Sequence, residues 1–233
     1  MRILAIIPAR GGSKRLPGKN VRSLHGRPLI HWSIDFARSI EWFTDVEVST
    51  DDAGIAQCCA AAGLTVARLR PENLATDEAN SVSVVLDVLD WKAAQGEHFD
   101  LVALLQPTTP VRASRHWEEA LRLISDEGHD AAIGVGPAAA HPYLTFRMAS
   151  SHALTPWISD RPASLRAQDL EPALAVNGSL YLIKTDVLQK TKTFMPAATA
   201  GVVMDAPLDN LDIDTEFDWL VAEQAIHYFQ EKP

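Results

Sequence analysis

The sequence predicts an α/β domain: a doubly wound, mostly parallel sheet with helices on both faces and a small inserted subdomain. Three observations predict it. Short apolar runs alternate with stretches of helical period, several of those stretches end at a glycine, and the alternation breaks once, where prolines take over. Ile3–Pro8 opens the chain as a buried strand, and a helix follows from about Pro28 to Phe43. Val46–Thr50 is the next strand, with a helix from Asp52 to Ala62 that stops at Gly63. Leu64–Arg68 reads as a third strand, and Asn80 to Gln95 as a helix stopped by Gly96. Leu101–Leu105, the helical Ser114 to Glu127 before Gly128, and Ala131–Val135 continue the rhythm. Strands this apolar are covered on both faces. Between about 138 and 175, Pro137, Pro142, Pro156, Pro162 and Pro172 punctuate short mixed segments, an excursion suited to a lid or to dimerisation. Val176–Ile183 resumes as a strand and Thr215–Tyr228 closes as an amphipathic helix. The expected organisation is one domain, 1–233, with an insertion at approximately 138–175.

Composition narrows the function classes. With 233 residues, 47% hydrophobic and 22% charged, the chain excludes disorder and fibrous architecture and can bury a core unaided. No apolar run approaches the ~20 residues of a membrane span, and Ile3–Pro8 is too short for a signal peptide. Adjacent Cys58 and Cys59 fit neither a disulfide framework nor a zinc site, and read as small apolar groups on a helix. A cytoplasmic protein is expected. The net charge of −9 hides a segregation: of 21 Lys and Arg, seven lie in residues 1–34 with no Asp or Glu, leaving 14 against all 30 acidic residues. A basic block on an acidic body indicates a local anion site and disfavours a nucleic-acid face.

That block is Pro8-Ala9-Arg10-Gly11-Gly12-Ser13-Lys14-Arg15-Leu16-Pro17-Gly18-Lys19-Asn20. It follows the first strand, at the sheet edge where open α/β folds bind ligands. The paired Gly11 and Gly12 allow backbone N–H groups to converge on one anion, with Ser13 adding a hydroxyl. Arg10, Lys14, Arg15 and Lys19 carry charge for several phosphates. The spacing is neither the dinucleotide fingerprint nor the P-loop, so a triphosphate cradle of another kind is expected. Near the other end, Asp212-Ile213-Asp214 places two carboxylates on one face of an extended segment, suited to one hard cation. The same cluster can instead cap the following helix. Together with the basic loop, the expected cofactor is Mg²⁺.

Ile6 to Asn20 resembles the signature of the CMP-sialic acid synthetases (acylneuraminate cytidylyltransferases), which belong with the sugar-activating, Rossmann-like nucleotidyltransferases. The resemblance continues, in order, through Arg70-Pro71-Glu72-Asn73-Leu74-Ala75, Leu104 to Arg112, Asn177-Gly178-Ser179-Leu180-Tyr181 and Leu211-Asp212-Ile213-Asp214-Thr215. It implies CTP and an acidic nine-carbon sugar as substrates, a homodimer formed through the insertion, and no nucleic-acid or membrane partner. It implies that Arg10, Lys14, Lys19 and Asp212 serve catalysis and that Asp212 and Asp214 hold the metal. By the same resemblance Gly11, Gly12, Ser13, Asn20, Arg70 and Ser81 serve the nucleotide, although Asn80 or Ser81 can equally cap a helix. Gln106 would contact the sugar, Asn177 and Tyr181 would face it, and Phe194 would wall it; Tyr181 can equally be core. Arg166 offers a bidentate fork to the sugar carboxylate. The sequence departs from the family at Leu144, near where a Lys follows the His-Pro pair, and at Ala175, where many members carry Arg. The acceptor therefore stays open among N-acetylneuraminate, legionaminate, pseudaminate and other 2-keto-3-deoxy acids. Another nucleotidyltransferase acceptor, or a non-catalytic nucleotide-sugar-binding protein, are the alternatives.

Overall fold

The computed structural model describes residues 1–230. Strand β1 (Ile3–Pro8) leads through a two-strand hairpin, β2 (Ser23–Leu24) and β3 (Arg27–Pro28), into helix α1 (Leu29–Ser39). There follow β4 (Asp45–Ser49), α2 (Ala53–Ala61), α3 (Ser81–Ala93), β5 (Leu101–Leu104), α4 (Ser114–Ser125) and β6 (Ala131–Pro137). A second hairpin, β7 (Phe146–Met148) and β8 (Leu154–Pro156), precedes the long β9 (Leu174–Lys184). The chain continues with α5 (Thr185–Thr191), β10 (Thr199–Val203) and α6 (Glu216–Gln230).

The main sheet has the order β10-β6-β9-β5-β1-β4. It is parallel except for β9, which runs antiparallel to both β5 and β6. Side chains alternate across the pleat, so each strand feeds two cores. Ile3, Ala5 and Ile7 pack with Ile30 and Ile34 of α1, Ile55 of α2 and Trp117 of α4. Leu4 and Ile6 pack on the other face with Val85 and Val88 of α3 and Leu188 of α5. The doubly wound architecture follows directly. Gly63, Gly96 and Gly128 stand just beyond α2, α3 and α4 with φ of 76°, 80° and 80°, the left-handed conformation that ends a helix.

A third cluster places the site. Leu16, Leu24, Leu29 and Trp32 bury against Ile213, Trp219, Ala222 and Ile226. Apolar burial of this kind draws the two ends of the chain together at about 25 cal/mol per Å², and so carries the Asp212 segment to the basic loop.

Some expectations need correction. Leu64–Arg68 is not a strand. It alternates between half-buried and exposed residues, as an extended chain does, but the first backbone bond it reaches at the sheet edge is Arg70 N to Thr50 O (2.7 Å). The sequence reading also missed β10, α5 and both hairpins, each too short to show a period. Cys59 is fully buried on α2, where burial pushes its thiol up to about 12, consistent with an inert packing role. Between β6 and β9 the chain closes hydrogen bonds on itself: Trp157 N to Thr145 O (3.0 Å), and Arg161 Nη1 to Tyr143 O (3.3 Å). It leaves Met148, Leu154 and Trp157 exposed at 67%, 60% and 57%.

Candidate active site

A cavity of about 590 Å³ opens where β1 and β5 end, with Pro8 from one strand exit and Gln106 and Pro107 from the other in its wall. The basic loop supplies Arg10, Ser13, Lys14, Arg15, Lys19 and Asn20. Its cations are organised by two carboxylates. Arg10 Nη1 lies 2.7 Å from Asp77 Oδ1, and Lys14 pairs with the other oxygen of the same carboxylate. Arg15 Nη2 (2.8 Å) and Lys19 Nζ (3.0 Å) both engage Asp214. Hydrogen bonds from Lys14 and Arg10 hold the Asp77 carboxyl below the usual range. The Asn20 amide donates to Arg10 O (3.1 Å) and pins the loop across its own base.

The glycines behave differently from expectation. Gly11 N–H donates to Asp51 Oδ1 (3.0 Å), and a Cβ there would stand 2.6 Å from Asp52 Oδ2. Ser13 N–H donates to Gly11 O (3.0 Å). Neither Gly11 nor Gly12 lines this cavity; Gly11 borders an adjoining one with Arg10 and Asn20, and its N–H is engaged by Asp51.

Arg70 and Ser81 both reach the cavity wall. Arg70 is buried, with Nε on Ser49 Oγ (3.0 Å) and Nη2 on Ser49 O (2.5 Å). Burial lowers its pKa, the main counterweight being Asp51. The choice between Asn80 and Ser81 as helix cap resolves cleanly. Asn80 Oδ1 accepts from Ser83 N (2.9 Å), which leaves Ser81 at the cavity.

Asp212 and Asp214 also line the cavity, and their alternative role as caps is taken by neighbours. Asp218 Oδ2 accepts from Thr215 N (2.7 Å), and Asp218 N donates to Thr215 Oγ1 (3.2 Å), a reciprocal capping box that opens α6. Water reaches Asp212, but the protein hemming it in raises its pKa, with Asp214 adding repulsion and a hydrogen bond from Thr108 opposing. Thr108 is thus part of the wall; its carbonyl also accepts from Ile213 N (2.8 Å). Among the described residues no three His, Cys, Asp or Glu side chains gather as a metal cage. A pair of carboxylates is nevertheless what Mg²⁺ takes when phosphates and water complete its shell, so the donor set fits.

The residues assigned to the sugar divide. Gln106 lines the cavity; Tyr181 does not, and packs half-buried against the core, where burial and then the charge of Asp212 raise its pKa. Phe194 is 6% exposed in the core beside Tyr181, with ring centroids 5.5 Å apart, and does not wall the cavity. Asn177 is spent elsewhere: Nδ2 donates to Asn210 Oδ1 (3.2 Å) and Asp209 O (3.4 Å), and Oδ1 accepts from Ser179 N (3.1 Å). It braces the turn leading to Asp212. Arg166 is exposed in the insertion and outside the cavity, as are Leu144 and Ala175.

A profile of the cytidylyltransferase family matches residues 4–144. The chain belongs to that family. It is 35% identical to the CMP-N,N'-diacetyllegionaminic acid synthase of Legionella pneumophila over 237 residues, 99% of either chain. It is 33% identical to an N-acylneuraminate cytidylyltransferase of Streptococcus agalactiae over 94% of this chain and 52% of that one; the chain spans about half the length of that relative. Among solved structures, CMP:2-keto-3-deoxy-manno-octonic acid synthetase complexed with CTP superposes with a TM-score of 0.71 at 19% identity, covering 98% of this chain and 100% of that one. This cytidylyltransferase shares that fold. No helix among its described residues is long and apolar enough to cross a membrane.

Proposed function

We propose that this cytidylyltransferase moves CMP from CTP to the anomeric hydroxyl of a nonulosonic acid, giving the CMP-sugar and pyrophosphate. The observation that carries the proposal is one cavity in which four cations of the basic loop meet two carboxylates from the far end of the chain. The sugar class comes from the legionaminate and neuraminate relatives.

The acceptor oxygen bonds to the α-phosphorus as the bond from that phosphorus to the pyrophosphate oxygen breaks, and the hydroxyl proton passes to solvent. Arg10, Lys14 and Lys19 neutralise the charge that collects on the departing pyrophosphate, and the reaction relies on positioning and electrostatics. Arg70 and Ser81 flank the nucleotide, with Asn20 holding the loop beneath it. Gln106 faces the sugar. Asp212 and Asp214 would hold Mg²⁺, which would add positive charge beside that of the basic loop on the triphosphate.

The test is pyrophosphate release with CTP and Mg²⁺ against N-acetylneuraminate, legionaminate, pseudaminate and 3-deoxy-octulosonate. Release with a nine-carbon acid supports the proposal. Release with the octulosonate alone, or silence with all four while CTP binds, overturns it. The exposed apolar side chains of the insertion support a homodimer as the working form. Light scattering should give twice the monomer mass, and Trp157→Glu should halve it; a monomeric parent protein refutes the dimer.

A further inference from the structure

We propose that Arg112 is a positioning residue for the acceptor side of the cavity: its guanidinium fixes the Gln106–Thr109 loop against β9 and so sets Gln106 and Thr108 in register. Arg112 does not itself line the cavity. It lies between the loop and α4, half-buried, and its hydrogen-bond partners are neutral oxygens from three separate parts of the chain. Nη2 donates to Gln106 O (2.6 Å) and Thr109 Oγ1 (3.0 Å), Nε to Ser179 O (3.3 Å), and Nη1 to Ser33 Oγ of α1 (3.1 Å). A planar fork with fixed donor directions spans these acceptors; a lysine ammonium cannot.

The surroundings show what the fork controls. Gly178 has φ +77°, and a Cβ there would come within 3.1 Å of Gln106 Oε1, so β9 passes the Gln106 side chain with no room for a side chain of its own. Arg112 binds both partners of that contact through their backbones, at Gln106 O and at the neighbouring Ser179 O. Two residues beyond Gln106, Thr108 donates to Asp212 and its carbonyl accepts from Ile213 N. The tie therefore extends to the carboxylate segment. Neutral carbonyls do not cancel the cost of withdrawing a guanidinium from water, so an apolar plug would serve mere packing better. The geometry calls for directed donors.

This inference rests on the proposed reaction, and its test has one arm that does not. In the full chain, Arg112→Lys should raise the KM for the acceptor sugar about ten-fold, the worth of a lost tie, while the KM for CTP and the melting temperature stay near those of the parent. Backbone hydrogen exchange should rise in residues 105–113 and 177–180 and stay unchanged around Arg10 to Asn20. Added guanidinium ion should lower the acceptor KM of Arg112→Ala. An unchanged exchange pattern overturns the inference, as does equal loss of CTP and sugar use with a lowered melting temperature, which marks a general folding role. If the parent protein turns over no acidic sugar, the proposed reaction fails, and the exchange pattern alone then decides for or against Arg112.

Discussion

At one end of the cavity, Arg10 and Lys14 share Asp77 while Arg15 and Lys19 share Asp214. At the other, Gln106 is held through its backbone by Arg112 and faces a glycine of β9. Long charged side chains paired with carboxylates can change partners when an anion arrives. A loop stapled by one guanidinium's directed hydrogen bonds to neutral oxygens cannot. On the proposed reaction, the phosphate end is built to exchange and the acceptor end to stay put.

Three substitutions probe that contrast. Arg10→Ala should have the largest effect, lowering kcat/KM by about 10²–10³-fold, or about 2–4 kcal/mol, the usual cost of one strong charge-stabilising donor. A loss below ten-fold in steady-state kinetics would mean that charge does not govern the phosphate end. Gly178→Ala forces a Cβ into the left-handed region, at about 1–2 kcal/mol, and pushes it onto Gln106 Oε1. Its melting temperature should fall, and the acceptor KM should rise while the CTP KM holds. Equal movement of both constants would show that the two ends are not separable. Asp77→Asn should have the smallest effect and the opposite sign. Without a competing carboxylate on Arg10 and Lys14, the dissociation constant for CTP should fall by about 2–5-fold, as expected for an exposed ion pair. The gain should shrink as salt is added, and calorimetry across a salt series measures both.

The two ends were also unequally legible in the sequence. Arg10, Lys14 and Lys19 stand in one contiguous segment directly after a strand, so their meeting needed only the rule that such loops sit at the sheet edge. The approach of Lys19 to Asp214 needed the packing of Leu16 and Leu29 on Ile213 and Trp219, a contact across nearly the whole chain. The resemblance to a known family supplied it; periodicity could not. Asn177 illustrates the opposite case. Its place in a motif suggested a ligand-facing amide, yet the turn at Asp209 and Asn210 takes its donors. Arg112 was visible as a letter in a quoted motif and silent as a role, because its partners lie on α1, β9 and its own loop. The inversion of β9 was equally hidden, since an apolar run does not state its direction. That inversion pairs the beginning of β9, Leu174 to Val176, with the end of β6, and Tyr181 with Leu104 at the end of β5.

The pairing of four loop cations with Asp77 and Asp214 also determines how binding responds to the medium. A bare cluster of cations gathers an atmosphere of small anions, and a polyanionic ligand gains entropy by releasing them to bulk solvent, which makes affinity fall steeply with salt. Here the neutralising anions are tethered to the chain. An arriving polyanion displaces them without setting them free, so the basic loop acts as an ion exchanger preloaded with its own counter-ions. Its affinity then declines with ionic strength less steeply than a count of its cations implies.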